Sequence, residues 1–220
     1  MGAFLVSRRG RIGLAGPHPA RLIGLLALLA CAPGPPAPAW TELFDGVGLA
    51  DWQATRFGGE GRVEVVDGSL ILRMGEPLTG VTWTGALPPG EGYEIEVVAA
   101  RRAGTDFFCA LTFPVGDAHC SLVAGGWGGS LTGLSVLDGE DASTNGTAVF
   151  PTFVHGQDYT LRVQVRADRI EVWLDAERIV SEPWRGRMIG VRPEVALSRP
   201  LGIASYATTA AIAAVRWRLL

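Results

Sequence analysis

The segment Tyr159-Thr160-Leu161-Arg162-Val163-Gln164-Val165 alternates apolar and polar residues, turns at Ala167-Asp168-Arg169, and resumes as Ile170-Glu171-Val172-Trp173-Leu174. A period of two is the signature of a half-buried strand, because successive side chains point to opposite faces of a sheet. Leu161, Val163 and Val165 face one way, as do Ile170, Val172 and Leu174, so the pair needs a second layer to cover it. Burying such side chains contributes roughly 1.5–3 kcal/mol each before chain entropy is subtracted.

The pattern recurs along the chain. Val63 and Val65 precede Asp67-Gly68, and Leu70 and Leu72 follow; Asp-Gly between alternating segments predicts a hairpin, since both turn residues must take positive φ. Tyr93-Glu94-Ile95-Glu96-Val97 alternates strictly. Phe107 to Phe113 is more continuously apolar and turns at Pro114-Val115-Gly116-Asp117 into His119-Cys120-Ser121-Leu122-Val123. Ile203-Ala204 and Ala213 to Leu219 supply late strands. Past Trp40 there is no long segment of helical period and no internal repeat. Several strands separated by turn signals imply a sandwich or barrel, one domain over residues 41–220.

The amino terminus has another character. Arg8, Arg9, Arg11 and Arg21 precede the short apolar run Leu22 to Ala30. That run is too short to span a bilayer, which takes about 20 apolar residues. It reads as a secretory signal over residues 1–31. The ending Leu28-Leu29-Ala30-Cys31 resembles a bacterial lipobox, which makes Cys31 the site of lipid attachment; cleavage near Ala37-Pro38-Ala39 is the alternative. The Pro/Ala-rich residues 32–40 form a stiff tether. The expected location is therefore the periplasm or outer membrane of a bacterial envelope, with the membrane reached through the lipid.

Four of the 19 basic residues precede Cys31, leaving 15 arginines against all 22 acids, a net charge of −7. Every cation is arginine. Sparse cations in an acidic chain exclude nucleic acid as a partner, because binding it requires clustered Lys/Arg to displace counterions.

Leu43-Phe44-Asp45-Gly46, followed by Leu49 and Trp52, resembles the opening of the 3-keto-disaccharide hydrolase family. Val66 to Leu70, Tyr93 to Val97, Tyr159 to Val163 and Pro200-Leu201-Gly202-Ile203 look similar to later segments of that family. The resemblance implies an all-β, concanavalin A-like jelly-roll β-sandwich of two antiparallel sheets. It also implies cleavage of glycosidic bonds in saccharides oxidised at C3; the alternative to that activity is a non-catalytic, lectin-like carbohydrate-binding module. The chain departs from the family at Asp106 to Pro114 and at Ser205 to Thr209, where an Asn-Ser-Gly and a His-Gly step are expected, and so looks like a divergent branch. A C3 ketone acidifies the C2 proton, so cleavage by elimination needs a base, an acid for the leaving oxygen and a donor for the enolate. The Glu-x-Asp-x-Glu run of sandwich glucanases is missing; Glu94-x-Glu96 lacks the third member.

Polar candidates crowd one stretch. His119, Asp106, Asp138 and Asp141 are the candidate catalytic groups, His119 because it titrates near neutrality. Asp138 and Asp141 also suit a divalent cation through oxygen ligands. The alternative for each residue alone is a polar turn. Trp127, among four glycines, is expected to stack on a sugar ring, with Trp83, Arg199 and Asn145 as further substrate contacts. For both tryptophans the alternative is the core. Cys109 and Cys120 fall on one face of a hairpin if its register pairs odd with even positions, which leaves open a disulfide or two buried free thiols.

Overall fold

The computed structural model describes residues 1–3 and 38–220. The signal segment beyond residue 3, Cys31 and most of the tether lie outside the described residues. From Thr41 onward the chain is a jelly-roll sandwich of two antiparallel sheets. Five strands open it: β1 (Thr41–Glu42), β2 (Trp52–Ala54), β3 (Val63–Val66), β4 (Ser69–Leu72) and β5 (Leu78–Trp83). The long β6 (Tyr93–Gly104) precedes β7 (Cys109–Val115), β8 (Ala118–Gly126) and β9 (Leu131–Ser135). Then come β10 (Tyr159–Val165), β11 (Arg169–Leu174), β12 (Glu177–Pro183), β13 (Gly202–Tyr206) and β14 (Thr208–Leu219). A 3-10 turn, Pro193–Ser198, is the one helical piece among the described residues.

The larger sheet runs β12-β11-β10-β6-β14-β4-β3, with β1 added to β14; the smaller runs β2-β5-β13-β7-β8-β9. Alternation decides what lies between them. Leu161, Val163, Val165, Ile170 and Val172 are fully buried, and Leu174 at the rim is partly so. From the smaller sheet Val81, Leu111, Phe113, Leu122 and Ile203 meet them. The expected hairpin forms at Asp67 (φ 49°) and Gly68 (φ 76°). One boundary moves: Pro114 lies inside β7, opposite His119, and the turn tightens to Gly116-Asp117.

The opening motif explains itself as structure. Phe44 and Trp52 are core residues, and the Trp52 indole donates to the Leu43 carbonyl at 2.8 Å. The Asp45 carboxylate accepts from the Val47 and Gly48 amides, closing the turn between them. Glu94 and Glu96 point out of the larger sheet, paired with Arg218 and Arg216. Trp40 lies over both guanidiniums, at 4.6 Å from Arg216 and 4.4 Å from Arg218. That face is a ladder of compensated charge.

The Cys109–Cys120 bridge is not formed; both thiols are free and buried. The parity argument holds, but the register pairs Cys109 with Ala124 and Cys120 with Phe113. The two sulfurs are thus offset by four residues along the hairpin, about 13 Å at strand rise, well beyond disulfide reach.

Candidate functional site

The outer face of the smaller sheet carries small side chains. Gly80 of β5, Ala204 of β13, Ala110 of β7 and Val123 of β8 lie side by side in register. Beside them runs a second row: Thr82, Gly202, Thr112, Ser121 and Ser135. Such a surface has room above it. The 3-10 turn covers one end, its Leu197 carbonyl accepting from the Thr82 hydroxyl at 3.1 Å. Gly202 must be glycine there, because a Cβ would stand 2.5 Å from the Ser198 carbonyl oxygen.

The uncovered part forms a cleft of about 320 Å³ with Ala110 and Val123 in its floor and Ser121 and Ser135 beside them. Its walls include Trp127, Phe107, Tyr206, Asp106, Arg192 and Glu194, with Pro77 and Val195. The size sits at the lower end of ordinary small-molecule sites, roughly 300–1,000 Å³. Phe107 and Tyr206 pack with ring centroids 5.6 Å apart. Trp127 remains 42% exposed, with the Arg192 guanidinium 5.7 Å from its ring centre.

Trp127 is held in place by a buried cation. Arg101 of β6 is only 5% exposed, and its Nη2 donates to the carbonyls of Gly125 (2.9 Å) and Gly129 (2.8 Å). Its guanidinium lies 5.4 Å and 5.9 Å from the Phe108 and Phe153 ring centres. Burial pulls the Arg101 pKa below its usual value, with the Asp106 charge acting in the opposite direction. The glycines around Trp127 follow from this bracket. A Cβ on Gly125 would stand 2.3 Å from Arg101 Nη2, and Gly125, Gly128 and Gly129 all have positive φ. Trp127 itself takes φ 47°, a conformation uncommon for a bulky residue. Asp106 accepts from the Phe107 amide at 2.7 Å and the Gly128 amide at 3.3 Å, tying the same turn from the other side.

The other charges in the wall are already engaged. Arg192 binds Glu194 through Nη2 (2.8 Å) and Nε (3.2 Å), and binds Asp141 through Nη1. The Arg192 hydrogen bond holds the Glu194 carboxyl below the usual carboxylate range, and Glu194 raises Arg192 in return. Burial would raise Asp141, but hydrogen bonds from Ser143 and the Arg192 charge leave it lowered.

The expected site residues therefore divide. Asp106 and Trp127 line the cleft, and Asp141 reaches it through Arg192. Asp138 lies elsewhere, with φ 54°; it accepts from the Met188 amide and pairs with Arg187, which together lower its pKa. His119 shares the outer face, one row beyond Ser121, but is not in the cleft wall. Burial and then the Arg199 charge lower its pKa. Arg199 closes the 3-10 turn, its Nε donating to the Ala196 carbonyl at 2.9 Å.

Two expected sugar contacts are corrected by burial. Trp83 is 7% exposed, tilted against Trp52 at 5.1 Å with its indole bonded to the Ala86 carbonyl. Asn145 is 6% exposed, and its amide is spent on Leu134, Glu140 and Thr147. No group of three or more His, Cys, Asp or Glu side chains converges on a cation position among the described residues. Sequence reading missed Tyr206, Phe107, Arg192, Glu194 and Ser135 as cleft residues. Only Tyr206 carried a local signal, as the aromatic member of the outward series Gly202, Ala204, Tyr206.

No family model matches the chain, and no curated protein matches it in sequence. Solved structures match in fold. The Crh5 transglycosylase aligns with a TM-score of 0.58 at 11% identity, over 84% of this chain and 85% of that one. A structure from work on endo-acting O-glycanases of the human gut microbiota aligns at 0.53 and 15% identity, over 79% and 94%. The carbohydrate recognition domain of Emp46p aligns at 0.53 and 12%, over 77% and 88%. At these identities the likeness is one of fold, that of concanavalin A-like sandwiches.

Proposed function

We propose that the protein binds a saccharide in the Trp127 cleft without cleaving it. One observation carries the reading: a bulky aromatic is held half-exposed in a left-handed turn by a buried arginine. An indole face is a good partner for the C–H face of a sugar ring, and Phe107 and Tyr206 add aromatic surface in the same cleft. A preformed cleft with a few polar groups is what a small ligand requires. The fold likeness to a transglycosylase and to a carbohydrate recognition domain supports saccharide as the ligand class.

Catalysis is the less favoured reading because the carboxylates in the wall are engaged. Glycosidic cleavage needs an acid and a base whose pKa values are set apart. Here Arg192 keeps Glu194 ionised, and Asp106 accepts from two backbone amides. The 3-keto-disaccharide hydrolase reading rests on the order of several short motifs, of which the opening one places Phe44 and Trp52 in the core and Asp45 in a turn. On the amino-terminal sequence, lipidation at Cys31 would display the cleft on the envelope; palmitate labelling lost in Cys31→Ala checks this.

The deciding experiment sets saturation-transfer NMR with neutral mono- and disaccharides beside product analysis with 3-keto-disaccharides. Binding that Trp127→Ala removes, with no product formed, is the expected result. Turnover abolished by Asp106→Asn or Glu194→Gln would replace the binding reading with an enzymatic one.

A further inference from the structure

Ser135 is the one cleft residue whose polar side-chain atom is both buried and unpaired. It is 1% exposed, lines the cleft, and its hydroxyl has no hydrogen-bond partner. Its cross-strand neighbour Ser121 is satisfied, paired with the Thr112 hydroxyl at 2.9 Å. A buried hydroxyl left unpaired is costly, and one that faces a cleft can be completed by a bound molecule. Beside it the floor is apolar, made by Ala110 and Val123, which are 0% and 4% exposed.

A plain hexose fits this floor poorly. Its hydroxyls would lose water against Ala110 and Val123 with one hydroxyl partner between them. A carboxylated sugar fits worse, since Asp106 and Glu194 line the cleft and Arg192 is committed to Glu194 and Asp141. An acetamido group combines what the floor asks for: a methyl to bury, and an amide that can accept from or donate to a serine hydroxyl.

We propose that the cleft takes a sugar carrying an acetamido substituent, with its methyl on Ala110 and Val123 and its amide on Ser135. The inference rests on the saccharide-binding reading above and names the sugar class for that same site. Trp127 contacts the ring, and Ser135 selects the substituent.

The test is titration of the full chain with N-acetylglucosamine, N-acetylgalactosamine, glucose, galactose and glucuronate, read by saturation-transfer difference NMR. Acetamido sugars are expected to bind about tenfold more tightly than their parents, the worth of a buried methyl and one hydrogen bond. Their acetyl methyl should show the strongest transfer. Ser135→Ala should cut that preference about fivefold without lowering the melting temperature, since it deletes an unpaired hydroxyl. Trp127→Ala should weaken every sugar alike. Equal Trp127-dependent affinity for glucose and N-acetylglucosamine would overturn the acetamido assignment and leave saccharide binding standing. Silence from every sugar would overturn both. An unchanged preference in Ser135→Ala would remove Ser135 from the recognition.

Discussion

Replacing Arg101 by methionine tests the bracket that presents Trp127. The guanidinium donates to the Gly125 and Gly129 carbonyls and lies against Phe108 and Phe153. Hydrogen bonds from a charged donor contribute about 1.5–3 kcal/mol each. Methionine recovers part of the packing and removes the cost of burying a cation, one of whose nitrogens, Nε, is itself unpaired. The net loss should be about 3 kcal/mol, equivalent to roughly 6–12 °C in a domain of this length. Thermal unfolding followed by circular dichroism reads the first effect, and saturation transfer from bound sugar reads the second, loss of the fixed indole. Gly125→Ala sharpens the test, because its Cβ would stand 2.3 Å from Arg101 Nη2. Alone it should be severely destabilising. In the Arg101→Met background it should add about 2 kcal/mol, the cost of a left-handed backbone plus a small shift of the Gly129 carbonyl and Phe108, each 3.2 Å from the added Cβ. The cycle should therefore be strongly non-additive. Strictly additive effects, or an Arg101→Met protein that melts and binds like wild type, would refute the bracket.

The two tryptophans should behave oppositely under the same change. Trp83→Ala should cost about 3–5 kcal/mol in chemical denaturation, as a core truncation does. Trp127→Ala should shift stability by no more than about 0.5 kcal/mol while removing sugar binding. Acidification tests the Arg192–Glu194 pair. Glu194 titrates lower when folded, so its contribution is present above the ordinary carboxylate pKa and fades as pH falls through the lowered value. Glu194→Gln should flatten the decline in melting temperature below about pH 4.5 relative to wild type. Burial pushes the thiols of Cys109 and Cys120 up to about 12, so neither should react with iodoacetamide at pH 8 before denaturant is added. Mass spectrometry of the native chain should show no label on either.

How far the chain could be read in advance differs from residue to residue. Ile95, Val97, Leu161 and Val163 announce their burial through alternation, and all are fully buried. Asp67-Gly68 announces its turn by the φ angles it must adopt. Trp83 and Trp127 both sit near glycines, yet one falls on the inward phase of β5 and the other in a turn between strands. The parity of Cys109 and Cys120 was readable, but not the register that offsets them by four residue pairs along the hairpin. Asp138, Asp141 and Asn145 looked like a cluster because they are near in sequence. In space they serve Arg187, Arg192 and the Thr147 turn.

Periodicity alone was enough to specify strands and their inward faces and to narrow the class to a sandwich or barrel, because backbone geometry imposes those patterns locally. Beyond the hairpin pairs β3–β4, β7–β8 and β10–β11, which strands become neighbours was settled only by tertiary structure. The cleft joins Asp106 and Trp127 to Ser135, Arg192 and Tyr206 through the order β13-β7-β8-β9 and the turn laid across it. Sheet order and register arise from how two whole layers pack, and no local pattern encodes that long-range pairing. Alternation told each side chain which way to face; packing chose whom it would meet there.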